Sequence, residues 1–133
     1  MFSRKKGVGV IIQNQDNQYL LHLRDGNPKY MPNQWCLIGG SNEVGESLRK
    51  TEIREVKEET ELDIFNLEYY TEIKLDTDWD IFIGNVNTKK QKVVIHEGKE
   101  LKFFSRSEFL DMLNLLSYTN PYIECLKEYL SSR

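Results

Sequence analysis

The chain has 133 residues, 39% hydrophobic and 29% charged, with a formal net charge of −3, the balance of an ordinary globular domain around one core. The net negative charge argues against a sequence-independent nucleic-acid surface, which needs a basic patch, and no stretch approaches the roughly 20 apolar residues that span a membrane. Cys36 and Cys125 stand in no metal or redox spacing and read as free thiols of a reducing cytosol, with a disulfide left open. The basic Arg4-Lys5-Lys6 precedes only a brief apolar segment, Val8 to Ile12, too short for a secretory leader. A cytoplasmic protein is expected.

In chain order, strand signals stand at Gly7 to Gln13 and Tyr19 to Arg24, joined as a hairpin by the turn-forming Asn14-Gln15-Asp16-Asn17. Asp25 to Gln34, with Gly26, Pro28 and Pro32, reads as a loop leading into the apolar run Trp35-Cys36-Leu37-Ile38, and by position it could form one wall of the substrate site. Gly39-Gly40 then reads as a flexible turn that lets backbone groups approach a metal or phosphate. A helix over Ser47 to Thr60 comes next, followed by strands near Leu67 to Leu75 and Asp80 to Val86. A polar turn at Asn87 to Gln91 and a strand at Leu101 to Phe104 lead to two closing helices. These run over Ser107 to Leu115 and Pro121 to Leu130, with Asn120 as N-cap and Pro121 at the first position of the second. Strands interleaved with helices predict an α/β fold, a mixed sheet with helices on its faces, in a single domain over residues 1–133.

The segment from Gly40 to Leu62, GSNEVGESLRKTEIREVKEETEL, carries the chemistry. At about 100° per residue, Glu52, Glu55, Glu58 and Glu59 share one face of the helix, while Ile53, Val56 and Thr60 fall on a separate arc expected to be the buried one. Like charges at these spacings oppose the helix by about 0.2–0.5 kcal/mol per pair, a penalty that a bound cation removes. Hard oxygen donors without Cys or His suit Mg²⁺ or Mn²⁺. Arg54 can orient a neighbouring carboxylate with its fork of donors. Charge runs are more often solvated surface, and the spacing has to outweigh that reading.

It does so through the pattern it fills. The segment resembles the box of the Nudix hydrolase family, G-x5-E-x7-R-E-U-x-E-E-x-G-U with U bulky and aliphatic, and Gly40, Glu46, Arg54, Glu55, Val56, Glu58, Glu59 and Leu62 stand in register with it. One position departs, since the second glycine of the box is Glu61. A non-glycine residue in the left-handed conformation expected there costs about 1 kcal/mol. The expectation is therefore that Glu61→Gly raises the melting temperature and leaves the rate alone.

The resemblance implies an α/β/α sandwich and a set of roles. Glu55, Glu58 and Glu59 would bind the metal with the carbonyl of Gly39, Glu55 would handle the attacking water, and Arg54 would orient Glu55. Glu46 would support the loop or meet the metal from further out; as a plain alternative it is a carboxylate favoured at a helix N-terminus. Glu52 has no place in the box and reads as a solvated helix residue. A distal carboxylate is expected from His96-Glu97-Gly98-Lys99-Glu100, where the Glu-Gly pair is similar to the catalytic-glutamate loop of MutT-type members and points to Glu97 over Glu100. His96, with no partner marked in the sequence, is a weak candidate.

The implied activity is Mg²⁺-dependent hydrolysis of a phosphoanhydride in a small nucleoside diphosphate derivative, leaning to a nucleoside triphosphate pyrophosphatase. No serine, cysteine or histidine nucleophile is needed. The alternatives are a nucleotide-sugar or dinucleoside polyphosphate hydrolase, a non-catalytic nucleotide-binding regulator, and an interaction module with an acidic helix. The three prolines lie at 28, 32 and 121, so the proline past the box that marks many ADP-ribose pyrophosphatases is missing around Thr77 to Trp79. The upstream motif of coenzyme A pyrophosphatases is absent too. Tyr30, Trp35 and Trp79 could stack on a base, as Asn120 could contact one, although core packing and capping account for them as well. By analogy with the family a homodimer is a further expectation.

Overall fold

The computed structural model describes residues 7–26, 31–74 and 78–133. Strands β1 (Gly7–Gln13) and β2 (Tyr19–Leu23) form the expected hairpin. Asn14 builds its turn by accepting the N–H groups of Asp16 and Gln18 on Oδ1, both at 3.0 Å. There follow β3 (Trp35–Cys36), β4 (Ile38–Ser41), α1 (Leu48–Thr60), β5 (Phe65–Lys74), β6 (Asp78–Asn85), β7 (Glu100–Phe104), α2 (Arg106–Leu115) and α3 (Pro121–Ser131).

One mixed sheet runs in the order β3-β2-β1-β6-β5, with β4 added to β1 and β7 to β2. β1 lies parallel to β6, from Gly7 opposite Trp79 to Gln13 opposite Asn85. It can occupy this position because its side chains are apolar on both faces, as strands covered on both sides require. Val8, Val10 and Ile12 point to one side and Ile11 to the other, all fully buried.

Each face carries its own core. Over Val8, Val10, Ile12, Leu20 and Phe82 lies α1, contributing Val56 and Leu48. Over Ile11, Tyr19, Leu21 and Ile81 lie α2 and α3, contributing Phe109, Ile123, Leu126, Tyr129 and Leu130. Burial of each such side chain is worth about 1.5–3 kcal/mol. The arrangement is an α/β/α sandwich. In α3 the Asn120 cap accepts the Ile123 N–H at 2.9 Å. α2 starts earlier than its apolar period suggests, because Ser105 and Glu108 form a reciprocal capping box with bonds of 3.1 and 2.9 Å.

Two expectations are corrected. Gly39 and Gly40 are not a flexible turn: they lie in β4, paired with Gly9 and Val8 of β1. Closeness rather than flexibility explains them, since a Cβ on Gly39 would stand 2.0 Å from the Val8 carbonyl oxygen. The polarity of α1 also differs. Ile53 is 46% exposed, while Glu52 is fully buried with Thr51, Val56 and Thr60. Measured from Val56, Glu52 lies about 40° to one side and Thr60 about 40° to the other, with Ile53 about 60° away. The buried arc thus overlaps the acidic face, and Glu52 is not a solvated residue. Leu75 and Thr77, at the expected end of β5 and start of the next region, and Tyr30 lie outside the described residues.

Candidate active site

The loop from β4 into α1 is organised by one carboxylate and one guanidinium. Ser47 caps α1 by accepting the Lys50 N–H at 3.2 Å, and just before it Glu46 turns back on the helix. Its Oε1 accepts the Glu43 N–H at 3.0 Å and the Thr51 hydroxyl at 2.8 Å. Arg54, two turns along, donates Nε to Glu46 Oε2 at 2.8 Å and Nη2 to Oε1 at 3.0 Å. This fork, with the backbone bond from Glu43, holds the Glu46 carboxyl down at about 2. The Arg54 pKa moves up in turn.

The remaining donors of Arg54 point at the other glutamates. Nη1 reaches Glu55 Oε1 at 3.0 Å and Glu58 Oε2 at 3.1 Å, and Nη2 reaches the Ser41 carbonyl at 3.3 Å. Glu55 is half-buried and lies directly over Gly40, where a Cβ would stand 2.5 Å from its carboxyl carbon. Burial raises its pKa, opposed by Arg54. Glu58 stays largely exposed at the rim, its side chain 57% accessible.

Glu59 lies deeper. It lines a cleft with Gly39, Leu37, Glu97 and Gly98, joined by His22, Arg24 and Asp25 at the end of β2. Burial, then the charges of Glu55 and Glu97, push its carboxyl up to about 8, with Arg24 pulling the other way. Glu97 therefore faces the helix carboxylates, whereas Glu100 is an exposed residue opening β7. Beneath this group Glu52 has both carboxyl oxygens buried without a hydrogen-bond partner, and burial, with Glu55 and Glu59 adding, drives it to about 9. At neutral pH it is a neutral acid.

The loop bearing Glu97 is tied at several points. The Val94 N–H donates to the Thr60 carbonyl at 3.0 Å, and the Lys99 N–H to the Leu23 carbonyl at 2.9 Å. His22 Nε2 lies 2.8 Å from the Glu97 carbonyl oxygen. Gly98 has φ 82°, and a Cβ there would meet His22 Nε2 at 2.2 Å, so both the turn and the close approach call for glycine. His96 is not alone: its Nε2 lies 2.7 Å from Glu61 Oε2.

Among the described residues, no three His, Cys, Asp or Glu side chains are placed to hold a metal ion by themselves. Gly39, Glu59 and Glu97 nonetheless line one cleft, and Glu55 lies beside it over Gly40. Glu46 is set apart from them, both its oxygens engaged by Arg54. Asp25 opens the loop expected to wall the substrate site and does line the cleft. His22 and Arg24 escaped the sequence reading, their only signal being polar residues at the end of an otherwise apolar strand.

The expected aromatic and amide contacts are already used inside the fold. Trp35 packs edge-on to Phe104 with centroids 5.1 Å apart, and Trp79 to Tyr122 at 6.0 Å. Asn120 donates Nδ2 to Gln34 Oε1 at 3.1 Å and to the Trp35 carbonyl at 3.0 Å, besides capping α3. Cys36 and Cys125 are free and buried, raised by that burial to about 11 and about 12. Neither is a thiolate nucleophile. No helix among the described residues is long and apolar enough to cross a membrane.

Known structures share the fold. A MutT structure, from work on the Aliivibrio salmonicida and Vibrio cholerae proteins, superposes with a TM-score of 0.75 at 20% identity, covering 98% of this chain and 100% of that one. A NUDIX-family hydrolase from Clostridium perfringens gives 0.73 at 20% identity, covering 98% of each chain. In sequence, the NAD-capped RNA hydrolase NudC of Vibrio atlanticus is 36% identical over 61 residues, covering 46% of this chain and 22% of its own length. The m7GpppN-mRNA hydrolase NUDT17 of Xenopus laevis is 39% identical over 56 residues, 42% of this chain and 19% of its own length. The chain spans about a fifth of the length of these two relatives. Residues 3–123 match the NUDIX domain, so the fold, the box and the match agree: the chain belongs to the NUDIX domain family.

Proposed function

We propose that the protein is a Mg²⁺-dependent hydrolase of the phosphoanhydride bond in a small nucleoside diphosphate derivative. The observation that carries this reading is the convergence of Gly39, Glu59 and Glu97 on one cleft, with Glu55 beside it in the grip of Arg54. The site fits a hard divalent cation. Its donors are all oxygens, and the raised pKa of Glu59 comes first from burial and then from the neighbouring charges of Glu55 and Glu97, which a cation would offset. Mg²⁺ keeps several waters and takes phosphate oxygens from its substrate, so an incomplete protein cage suits it; Mn²⁺ fits on the same grounds.

Glu55, Glu59, Glu58, Glu97 and the Gly39 carbonyl are the proposed ligands. When bound, the metal supplies charge neutralisation and an acidified water. Glu55 takes the proton of the attacking water, its Oε1 fixed by Arg54. Glu46 acts through Arg54, because both its oxygens are occupied, and it is assigned as support rather than ligand. Arg24, lining the same cleft, is placed to meet the negative charge of a substrate phosphate. The protein works in the cytoplasm, and a homodimer is its proposed assembly.

Within this class we favour a nucleoside triphosphate pyrophosphatase, supported by the Glu97-Gly98 pair facing Glu59. The test is release of phosphate and pyrophosphate from nucleoside triphosphates, nucleotide sugars, dinucleoside polyphosphates and capped dinucleotides with Mg²⁺, alongside Glu55→Gln. Turnover of at least one class, lost in the variant, is expected. Absence of turnover on all of them, with nucleotide still bound, would replace the hydrolase by a regulatory nucleotide-binding domain.

A further inference from the structure

The box glycine is replaced by Glu61, and the structure keeps the backbone a glycine would have had. Glu61 sits at φ 62°, ψ 12°, as the left-handed cap of α1, its N–H on the Lys57 carbonyl at 3.0 Å. A non-glycine residue there strains the chain by about 1 kcal/mol. Its side chain does not point idly into solvent. Oε2 meets His96 Nε2 at 2.7 Å, across 35 residues of sequence.

Stability does not account for the contact. The two side chains are 49% and 46% exposed, and exposed pairs contribute little. Position does. Residues 91–96 have no regular secondary structure, so where that loop lies depends on a few discrete ties. The Val94 N–H on Thr60 is one, and the bonds of the Glu97 carbonyl to His22 and of the Lys99 N–H to Leu23 are others. Between them, the Glu61–His96 contact fastens the residue next to Glu97 to the end of the helix that carries Glu59.

We propose that Glu61 is a positioning residue: through His96 it fixes the loop that presents Glu97 to the cleft. The helix end and the Glu97 loop thereby become one unit, and the distance between Glu59 and Glu97 is set on both sides. Its catalytic consequence rests on the assignment of Glu97 as the distal carboxylate made above, whereas the tie itself does not. The expectation drawn from sequence, that Glu61 affects stability alone, is replaced by this one.

The test uses the full chain with Glu61→Gly, Glu61→Gln and His96→Ala. Amide hydrogen exchange of residues 95–98 in metal-free protein reads loop order directly. Expected is exchange about two- to fivefold faster in Glu61→Gly and His96→Ala, with near wild-type values in Glu61→Gln, whose amide still accepts from the imidazole. Glu61→Gly should melt no lower than wild type. With Mg²⁺ and the substrate found by the panel, kcat should fall about tenfold, in the range seen for groups behind a metal ligand, while KM stays within about twofold.

Unchanged exchange in Glu61→Gly, or no recovery in Glu61→Gln, overturns the positioning role. Glu97→Gln separates the two assignments. If that variant keeps full activity while exchange behaves as expected, the loop is tied and the role of Glu97 fails. If it loses activity while Glu61→Gly loses neither activity nor loop order, the positioning role fails by itself.

Discussion

Arg54 clasps Glu46 by two parallel bonds, Nε to Oε2 at 2.8 Å and Nη2 to Oε1 at 3.0 Å, while Nη1 is shared between Glu55 and Glu58. One planar group thus ties the loop before the helix to the carboxylates along it. Lysine carries the charge but cannot make the fork. Arg54→Lys should lower kcat/KM by about 10–100-fold, because Glu55 loses its fixed orientation. Steady-state kinetics at saturating Mg²⁺ check this, and a rate within twofold of wild type would remove Arg54 from the machinery.

The two adjacent glycines should fail in different ways. A Cβ on Gly40 meets the far end of the Glu55 side chain at 2.5 Å, which can swing aside, whereas one on Gly39 meets the Val8 carbonyl at 2.0 Å, which cannot. Gly40→Ala should leave the melting temperature within a few degrees and cut activity, by up to about 100-fold for a displaced catalytic group. Gly39→Ala should chiefly unfold the protein. Thermal melts and turnover of the two variants compared side by side decide it.

Glu52 makes stability depend on pH. Its carboxyl titrates near 4.5 when exposed and near 9 in the fold. The unfolded chain therefore gives up this proton at a pH where the folded chain keeps it. The stabilisation is complete below about 4.5 and is lost as pH climbs towards 9, at about 1.4 kcal/mol per pH unit for one proton. Glu52→Gln removes that slope. In urea titrations with a chelator present, the variant should gain on wild type between pH 5 and pH 8; a constant difference would refute it.

Glu59 predicts the pH dependence of metal binding. With its carboxyl raised to about 8, the metal-free protein holds a proton there at neutral pH. That proton must leave before an oxygen can ligate. Apparent Mg²⁺ affinity should rise with pH up to about 8 and then level off, and Glu59→Gln should weaken binding and flatten the profile. Calorimetry in buffers of different ionisation heat would show the proton released in wild type and not in the variant.

How far the sequence carries can be judged residue by residue. The apolar, β-branched run Val8 to Ile12 and the Asn120-Pro121 helix start were legible because local pattern and tertiary burial agree. Gly39-Gly40 was misread because a glycine demanded by close packing looks, in sequence, like one demanded by a turn. Glu52 was misread because helical periodicity places residues around an axis without saying how the axis is rolled against the sheet. The Glu61–His96 contact was invisible, since nothing local to either residue announces a partner 35 positions away. Arg54, Glu46 and Glu55, all within or beside one helix, needed no such knowledge.

The parallel pairing of β1 with β6 has a consequence for the order of assembly. Gly7–Gln13 needs Trp79–Asn85 as its neighbour, so the middle of the sheet is incomplete until more than half the chain has been made. Helix α1 ends at Thr60 and buries little apolar surface of its own, which leaves it without a finished floor during that interval. A ribosome-bound chain halted before Asp78 would therefore carry every residue of the box yet no assembled carboxylate cluster. Its glutamates would remain as separately solvated as those of any acidic peptide until the late strand arrives.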